Sequence, residues 1–198
     1  MTVDEACANG CVFAGVDEVG RGAIVADVVA AAVILPADSK QTFNDSKKLT
    51  AKQRDHAAAW LYKHAICIAI GRATSSEVDA LNVLQASMLA MHRAVDALSV
   101  KPTFVAVDGN CLPEWPYASE AIIQGDQRVN AIAAASIIAK VTRDQDMQRL
   151  HQQYPMYGFA NHKGYPTKAH KQAIMQYGIT PVHRVSYRPV RDAIATLN

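Results

Sequence analysis

Four acidic side chains stand where short apolar runs of the sequence stop, which is where strands are expected to end. These residues are Asp17, Glu18, Asp108 and Asp126. Side chains at strand ends of a covered sheet open into a crevice, so the four carboxylates can converge although they lie far apart in sequence. Converging carboxylates repel one another unless a cation neutralises them. Oxygen ligands select hard cations, so the pattern predicts Mg²⁺ or Mn²⁺, and two such ions support phosphodiester cleavage.

For any single aspartate in such a place, a structural role in a turn or helix cap is the commoner explanation. The pair Asp17 and Glu18 differs, because the segment 19–22, with two glycines and Arg21, follows directly. Glycines let the backbone approach a ligand closely and present amide donors, while an arginine binds phosphate or carboxylate. The segment lacks the G-x-G-x-x-G spacing and the chain lacks a G-K-[ST] loop. Dinucleotide-binding and P-loop functions are therefore excluded.

Alternating strand and helix signals predict the elements that position these residues. Predicted strands are 12–16, 23–35, 65–70, 103–107 and 121–124. Predicted helices are 50–64, 75–98, 129–152, 167–178 and a terminal helix with Pro189 in its first turn. The periodicities and caps therefore predict an α/β class, a mixed sheet flanked by helices, with a helical and basic C-terminal part.

Two local features add predictions to this scheme. Apolar residues recur at spacings of three and four from Leu81 to Leu98, which predicts that this stripe belongs to the core. The N-terminal segment that contains Cys7 and Cys11 is expected to be frayed, because chain termini are commonly poorly ordered.

The charges of this 198-residue chain are unevenly distributed. Residues 1–127 contain 10 basic and 15 acidic side chains, a balance of −5, whereas residues 128–198 contain 10 and 3, a balance of +7. Ordinary variation in composition is one explanation. The other is a site whose acidic and basic walls come from different parts of the chain. The net charge of +2 therefore does not exclude a nucleic-acid partner.

Membrane insertion and an oxidising compartment are both disfavoured. Residues 1–8 lack the basic start and apolar centre of a secretory signal, and the longest apolar stretch, 23–35, is interrupted by Asp27. The four cysteines lack C-x-x-C spacing, which argues against a disulfide scaffold and against a zinc site. We therefore expect a cytoplasmic protein that has no membrane partner, and we expect it to be a monomer.

Seven blocks of the sequence resemble the ribonuclease HII family, the type 2 ribonucleases H, of the bacterial type. The blocks are GVDEVGRG (15–22), NDSKKL (44–49), VDGN (107–110), GD (125–126), AAASIIAKVTRD (133–144), YGFANHKGYPT (157–167) and HRVSYRPV (183–190). Their order and combination are highly specific and extend over most of the chain. The resemblance implies one ribonuclease H-like catalytic domain over 1–198, in which about 150–198 form a basic C-terminal helical extension.

The same resemblance implies an endoribonuclease that cuts the RNA strand of RNA/DNA hybrids and nicks 5′ of single ribonucleotides in duplex DNA. It implies a two-metal-ion mechanism with Mg²⁺ or Mn²⁺ that leaves 5′-phosphate and 3′-hydroxyl ends. The implied catalytic and metal-binding carboxylates are Asp17, Glu18, Asp108 and Asp126. The backbone implied to recognise the 2′-hydroxyl is that of Gly20, Arg21 and Gly22. Tyr165 would stack on the adjacent deoxyribose. The 2′-hydroxyl is the group that distinguishes RNA from DNA.

Several basic side chains are candidates for phosphate contacts. Lys47 and Lys48 lie in the second block, although solvation at the surface explains either one equally well. The candidates in the basic part are Lys140, Arg143, Lys163, Lys168 and Arg184. Ala23 and Asp27 stand where the family commonly has a proline and a glycine, so loop shape and substrate preference can differ.

Two other functions are compatible with the same residues. One is a two-metal nuclease or resolvase of ribonuclease H-like fold that acts on DNA, which would still cut after the ribonucleotide is replaced by a deoxyribonucleotide. The other is a metal-dependent nucleic-acid-binding protein without catalysis, which would retain the duplex and yield no product at any divalent ion concentration.

Overall fold

A computed structural model describes residues 1–197, apart from the side chain of Cys7, and contains a five-stranded sheet. The strands are β1 Phe13–Val19, β2 Val28–Ile34, β3 Cys67–Ala73, β4 Phe104–Asp108 and β5 Ser119–Ile122. Their order is β3-β2-β1-β4-β5. β2 is antiparallel to β1 and β3, whereas β1 with β4 and β4 with β5 are parallel pairs. The predicted mixed sheet is therefore confirmed.

Helices precede, separate and follow the strands. They are α1 Val3–Ala8, α2 Ala51–His64, α3 Ser75–Leu81, α4 Val83–Asp96, α5 Asn130–Gln153, α6 Phe159–His162, α7 Lys168–Tyr177 and α8 Arg188–Leu197. Short 3-10 turns lie at Ser46–Lys48, Gly125–Gln127 and Pro155–Tyr157. Two helices begin at capping threonines: Thr50 forms a capping box with Gln53, and the Thr167 side chain accepts from the amide of His170. No helix within the described residues is long and apolar enough to cross a membrane.

Helices cover both faces of the sheet, and β2 is buried along its whole length for that reason. Ala30 and Ala32 of this strand belong to the core cluster that includes α4. The alternate residues Ala31 and Val33 belong to the cluster that includes α2 and α5. Successive side chains of a strand point to opposite faces, so one apolar strand contributes to two cores.

Helix α5 packs directly on β1, the strand that contains Asp17 and Glu18. Gly15 makes this approach possible, because a Cβ built there would lie only 2.1 Å from the carbonyl carbon of Ala131. The other small residues at the start of α5 are also buried, namely Ala133, Ala134 and Ala135. The backbone of β1 is therefore held closely against a long helix next to the two acidic residues.

The predicted strand 23–35 is wrong in its first part. Residues 23–27 form an irregular segment in which Val25 makes an isolated bridge with His183 and Ala26 has a φ of 64°. The segment is apolar because it is buried, not because it belongs to the sheet. Its carbonyl groups bind side chains from distant parts of the chain, so its conformation depends on tertiary contacts.

The predicted helix 75–98 is also corrected. Asn82, with a φ of 69°, ends α3, and its side chain accepts from two amides at the start of α4. The break rotates the apolar stripe, so Leu81 and Leu84 are exposed while Met91 and Leu98 are buried. Only the second part of the predicted stripe therefore lies in the core.

The N-terminal segment is helical, which corrects the expected fraying. Ala6 of α1 is fully buried in a cluster with Phe104 and Ile132. The amide of Val3 donates to the carboxylate of Glu120 at 2.8 Å. Contacts with β4, β5 and α5 thus order a segment whose own sequence predicts little structure.

Helices α6, α7 and α8 follow α5 in the basic C-terminal part. Their buried residues form a cluster with Ile24 and Val25 of the irregular segment and with Met147 of α5. The C-terminal helices therefore contact the segment that comes directly after Gly22. Asn198, the last residue of the predicted extension, lies outside the described residues.

Candidate active site

The four predicted carboxylates lie on adjacent elements at one end of the sheet. Asp17 and Glu18 are in β1, and Asp108 is the last residue of β4, the parallel neighbour of β1. Asp126 lies in the 3-10 turn that follows β5, the next parallel strand. Three parallel strands therefore deliver side chains from distant parts of the sequence to one place.

The first strand is longer than predicted, so Asp17 and Glu18 lie inside it and do not follow it. The parallel pairing of β1 with β4 ends at Val16 opposite Val107. The antiparallel pairing of β1 with β2 continues as far as Val19. Beyond Val16, β1 thus has a strand partner on one side only. Asp17 and Glu18 therefore lie where β1 has no parallel neighbour, although their backbone is still β structure.

The carboxylates lie close enough to affect one another. Burial raises the pKa of Asp17 well above its ordinary range, and the negative charges of Glu18 and Asp108 raise it further. The pKa of Glu18 is raised chiefly by burial. Burial, followed by Asp45 and Asp108, raises the pKa of Asp126. The site therefore contains excess negative charge, which a bound cation would relieve.

Backbone amides orient two of these carboxylates. The amide of Glu18 donates to Oδ1 of Asp17 at 2.8 Å, and the amide of Gly125 donates to Oδ1 of Asp108 at 2.7 Å. The Oδ2 atoms of both aspartates lack a hydrogen-bond partner within residues 1–197. Each carboxylate is thus anchored through one oxygen and can offer the other to a ligand.

The donor chemistry of the site fits a hard divalent cation. All four side chains offer carboxylate oxygens, and Asp17 and Asp126 are only 8% and 6% exposed. In the part of the chain that the structure describes, no three acidic, histidine or cysteine side chains already form a closed set of metal ligands. A bound cation would offset the mutual repulsion of these four carboxylates.

Lys47 lies beside this acidic group. Burial lowers its pKa, but the attraction of Asp17, Asp126 and nearby carboxylates outweighs burial, so the pKa is raised overall. The neighbouring Lys48 donates to the side chain of Gln127 at 3.2 Å, which links the 3-10 turn at 46–48 to the turn that contains Asp126. The structure thus places Lys47 at the site, and its contact with a substrate phosphate stays a prediction.

The glycine-containing loop after β1 lies against Tyr165. Gly20 has a φ of +97°, and a Cβ built there would lie 2.6 Å from Nε of Arg143, so a side chain is excluded at this position. A Cβ built on Gly22 would lie 3.3 Å from Cε1 of Tyr165. The Tyr165 ring is 41% exposed, and Arg21 contacts Glu18 at 3.4 Å. The loop thus contacts the carboxylate of Glu18 through Arg21 and approaches the Tyr165 ring at Gly22.

Two of the predicted phosphate contacts are wrong. Arg143 and Arg184 are 2% and 0% exposed, and both guanidinium groups bind backbone carbonyls inside the protein. Helical spacing contained the signal for Arg143, because it lies four residues from both Ala139 and Met147 on the buried face of α5. The sequence holds no comparable signal for Arg184, whose burial depends on the irregular segment.

A chain of hydrogen bonds through two buried histidines ends at the backbone carbonyl of Tyr165. The sequence did not indicate this chain. The amide of Thr180 donates to Nδ1 of His183 at 3.0 Å, so the ring proton of His183 is on Nε2. That Nε2 donates to Nε2 of His170 at 3.2 Å. Nδ1 of His170 then donates to the carbonyl of Tyr165 at 3.0 Å. Each bond fixes the tautomer of the next ring, and both imidazoles must be neutral.

We expect the free energy of unfolding to decrease as the pH falls from about 6.5 to about 4. Burial lowers the pKa of His170 and of His183 to about 4, whereas the unfolded chain takes up these protons near the usual value of 6.5. The unfolded state therefore binds more protons in this window, and stability is fully present only above it. Below this window, each such imidazole lowers the free energy of unfolding by about 3 kcal/mol. Denaturant unfolding at pH 7, 5.5 and 4.5 measures the loss.

Variants identify the source of this pH dependence. His170→Asn can keep the bond to the Tyr165 carbonyl but removes one titrating ring, so its stability should vary less between pH 7 and 4.5. His56→Gln replaces an exposed histidine of α2 and serves as the matched control. The same pH dependence in His170→Asn and wild type would show that this ring is not responsible.

The chain is similar to known proteins along most of its length. A family model described as Ribonuclease HII matches residues 14–190. A relative named Ribonuclease HII from Shewanella halifaxensis (strain HAW-EB4) is 54% identical over 184 residues, which cover 92% of this chain and 91% of the relative.

Two solved structures are similar in fold. The ribonuclease H2 from Pyrococcus horikoshii OT3 has a TM-score of 0.78 and 26% identity, and the match covers 93% of this chain and 97% of that one. Bst-RNase HIII in complex with Mn²⁺ has a TM-score of 0.66 and covers 98% of this chain and 74% of that one. At 15% identity, this second likeness concerns the fold alone.

Proposed function

Because this chain belongs to the ribonuclease HII family, and is thus a ribonuclease H that acts on RNA/DNA substrates, we propose that it nicks duplex DNA 5′ of single ribonucleotides. The observation that most strongly supports this is the contact between Gly22 and the exposed ring of Tyr165, next to the carboxylates. A close-approaching glycine backbone and an aromatic face can together recognise one sugar by shape and by its 2′-hydroxyl. The activity would remove ribonucleotides during DNA repair and replication.

Ribonucleases H depend on divalent metal ions, and we infer that two ions, Mg²⁺ or Mn²⁺, bind here through the carboxylates. The proposed ligands are Asp17, Glu18, Asp108 and Asp126. When bound, such ions activate a water and stabilise the leaving oxygen, which gives 5′-phosphate and 3′-hydroxyl ends. Asp17 and Asp108 would supply preoriented oxygens, since an amide already anchors Oδ1 of each.

The remaining site residues are proposed to bind and orient the substrate. The amides of Gly20, Arg21 and Gly22 would contact the 2′-hydroxyl and the adjoining phosphate. Tyr165 would stack on the following deoxyribose, and Lys47 would contact a phosphate near the carboxylates. That residues 1–198 form one catalytic domain, that the protein is a monomer and that it is cytoplasmic all stay predictions.

Cleavage of three substrates tests this function. They are a DNA duplex with one embedded ribonucleotide, the same duplex with deoxyribose at that position, and an RNA/DNA hybrid. We expect a nick 5′ of the ribonucleotide and cleavage of the hybrid with Mg²⁺ or Mn²⁺, no product after chelation, and no cleavage of the all-DNA duplex. Comparable cutting of the all-DNA duplex would instead indicate a DNA nuclease of similar fold. Retention of the duplex on a gel without product would indicate a binding protein.

A further inference from the structure

Two buried arginines bind the backbone carbonyls of the loop that follows β1. Nη1 of Arg184 carries two hydrogens, which are shared among the carbonyls of Gly20 at 2.8 Å, Arg21 at 3.2 Å and Ala23 at 2.7 Å. Nε of Arg184 donates to the carbonyl of Ala26 at 2.8 Å. Arg143 donates in the same way to the carbonyls of Val25 and Asp27. The two guanidinium groups thus bind five carbonyl oxygens of the loop and of the irregular segment, and the Nη1 of Arg184 also lies 3.2 Å from a sixth, that of Arg21.

Neither guanidinium has a carboxylate partner within residues 1–197, although both are buried. Burial lowers the pKa of both guanidinium groups, that of Arg143 to about 10. Arginine side chains are not deprotonated at neutral pH in proteins, so both groups are cations. Among the residues that the structure describes, none accepts a hydrogen bond from Nε of Arg143 or from Nη2 of Arg184. Buried charge without a counter-ion is costly. Two such charges directly beneath the loop also favour an anionic group on its outer surface.

The fixed carbonyls determine which amides the loop presents to solvent. The amides of Ala23 and Ile24 are used inside the protein, by the carbonyls of Gly20 and Gly164. In the described part of the chain, by contrast, no acceptor binds the amide of Arg21 or of Gly22, and both residues are exposed. The adjacent amides of Arg21 and Gly22 are therefore available to a ligand, in a loop that contacts two buried guanidinium groups and Tyr165.

We propose that Arg184 is a positioning residue that keeps the amides of Arg21 and Gly22 directed toward a ribose 2′-hydroxyl and its adjoining phosphate. The inference rests on the proposed function. Tyr187 completes the arrangement, since its hydroxyl donates to the carbonyl of Arg21 at 2.5 Å and lies 3.2 Å from Nη1 of Arg184. A guanidinium suits this task because its several donors lie in one rigid plane, whereas a lysine ammonium offers donors from a single point.

Tyr187→Phe is the least disruptive test, because it removes one hydroxyl from a half-buried side chain. We expect kcat/KM for the single-ribonucleotide duplex to fall by about 3- to 10-fold, the usual effect of one hydrogen bond. Cleavage of a long RNA/DNA hybrid, which offers many equivalent ribonucleotides, should fall by no more than about twofold. Tyr117→Phe removes a comparable hydroxyl, bonded to Asp96 at 3.0 Å, and should leave both values unchanged.

Arg184→Lys keeps the positive charge but removes the planar set of N–H donors. We therefore expect a larger selective loss of kcat/KM for the single-ribonucleotide duplex, of about 10- to 100-fold. Circular dichroism and thermal unfolding show whether this variant folds. If it does not fold, the kinetics of Tyr187→Phe alone test the inference. Unchanged kinetics in Tyr187→Phe, or equal losses on both substrates, would overturn the inference while leaving the proposed function intact. Failure of the wild-type protein to nick the single-ribonucleotide duplex would overturn the proposed function itself, and the inference with it.

Discussion

Replacing Asp17 with asparagine should lower cleavage of both the hybrid and the single-ribonucleotide duplex by roughly 10³-fold or more, since a metal-ion contribution of several kcal/mol is lost. Folding should survive, because burial and the charges of Glu18 and Asp108 already raise the pKa of Asp17 and disfavour its ionised form. A neutral amide of the same shape relieves this repulsion. The free energy of unfolding at pH 7 should therefore be unchanged or higher.

Initial rates with saturating metal measure the loss of cleavage, and denaturant unfolding measures the stability of the variant. Duplex binding on a gel shows whether the substrate is still bound. Asp38→Asn, which removes an exposed carboxylate from a loop, is the matched control and should cut normally. Near-normal nicking by Asp17→Asn would show that Asp17 is not a metal ligand. A marked loss of stability would show that its charge supports the fold.

Replacing Tyr165 with alanine should reduce cleavage of the single-ribonucleotide duplex by about 10- to 100-fold, which corresponds to one stacking contact of about 1–3 kcal/mol. The long hybrid should lose no more than about threefold, because a continuous RNA strand provides alternative positions for cleavage. Tyr165→Phe keeps the ring that faces Gly22 and should retain most activity on both substrates.

The relevant measurement is the ratio of kcat/KM between the two substrates for each variant. Tyr62→Ala removes a more exposed tyrosine, on α2, and controls for the loss of a surface ring. Equal losses on both substrates after Tyr165→Ala would argue against recognition of the ribonucleotide junction. A large loss in Tyr165→Phe would assign the effect to the hydroxyl group rather than to stacking.

The type and approximate position of most elements followed from local patterns. The capping box between Thr50 and Gln53 joins residues that are neighbours in sequence, so local interactions determine where α2 begins. The errors occurred where distant residues decide the conformation. Residues 23–27 have the composition of a strand, but they bind Arg143 and Arg184 and turn away from the sheet.

The candidate site shows the same division. Apolar runs that end in acidic residues indicated which carboxylates could meet, because strand ends of a parallel pair share one edge. The sequence did not indicate that β1 continues to Val19, since this extension depends on pairing with β2 alone. The imidazole chain below Tyr165 was also hidden, because His170 and His183 become neighbours only after α7 has packed beside the following loop.

By itself, the sequence determined the chemistry of this protein: oxygen ligands that require a cation, a glycine loop able to approach a sugar, and a division into acidic and basic parts. Only the tertiary structure decided what each basic residue does. Lys168 is exposed, whereas Arg184 of the same basic part is fully buried under the loop after β1. The reason is that burial and hydrogen bonding depend on partners more than 150 residues away, which no local pattern records.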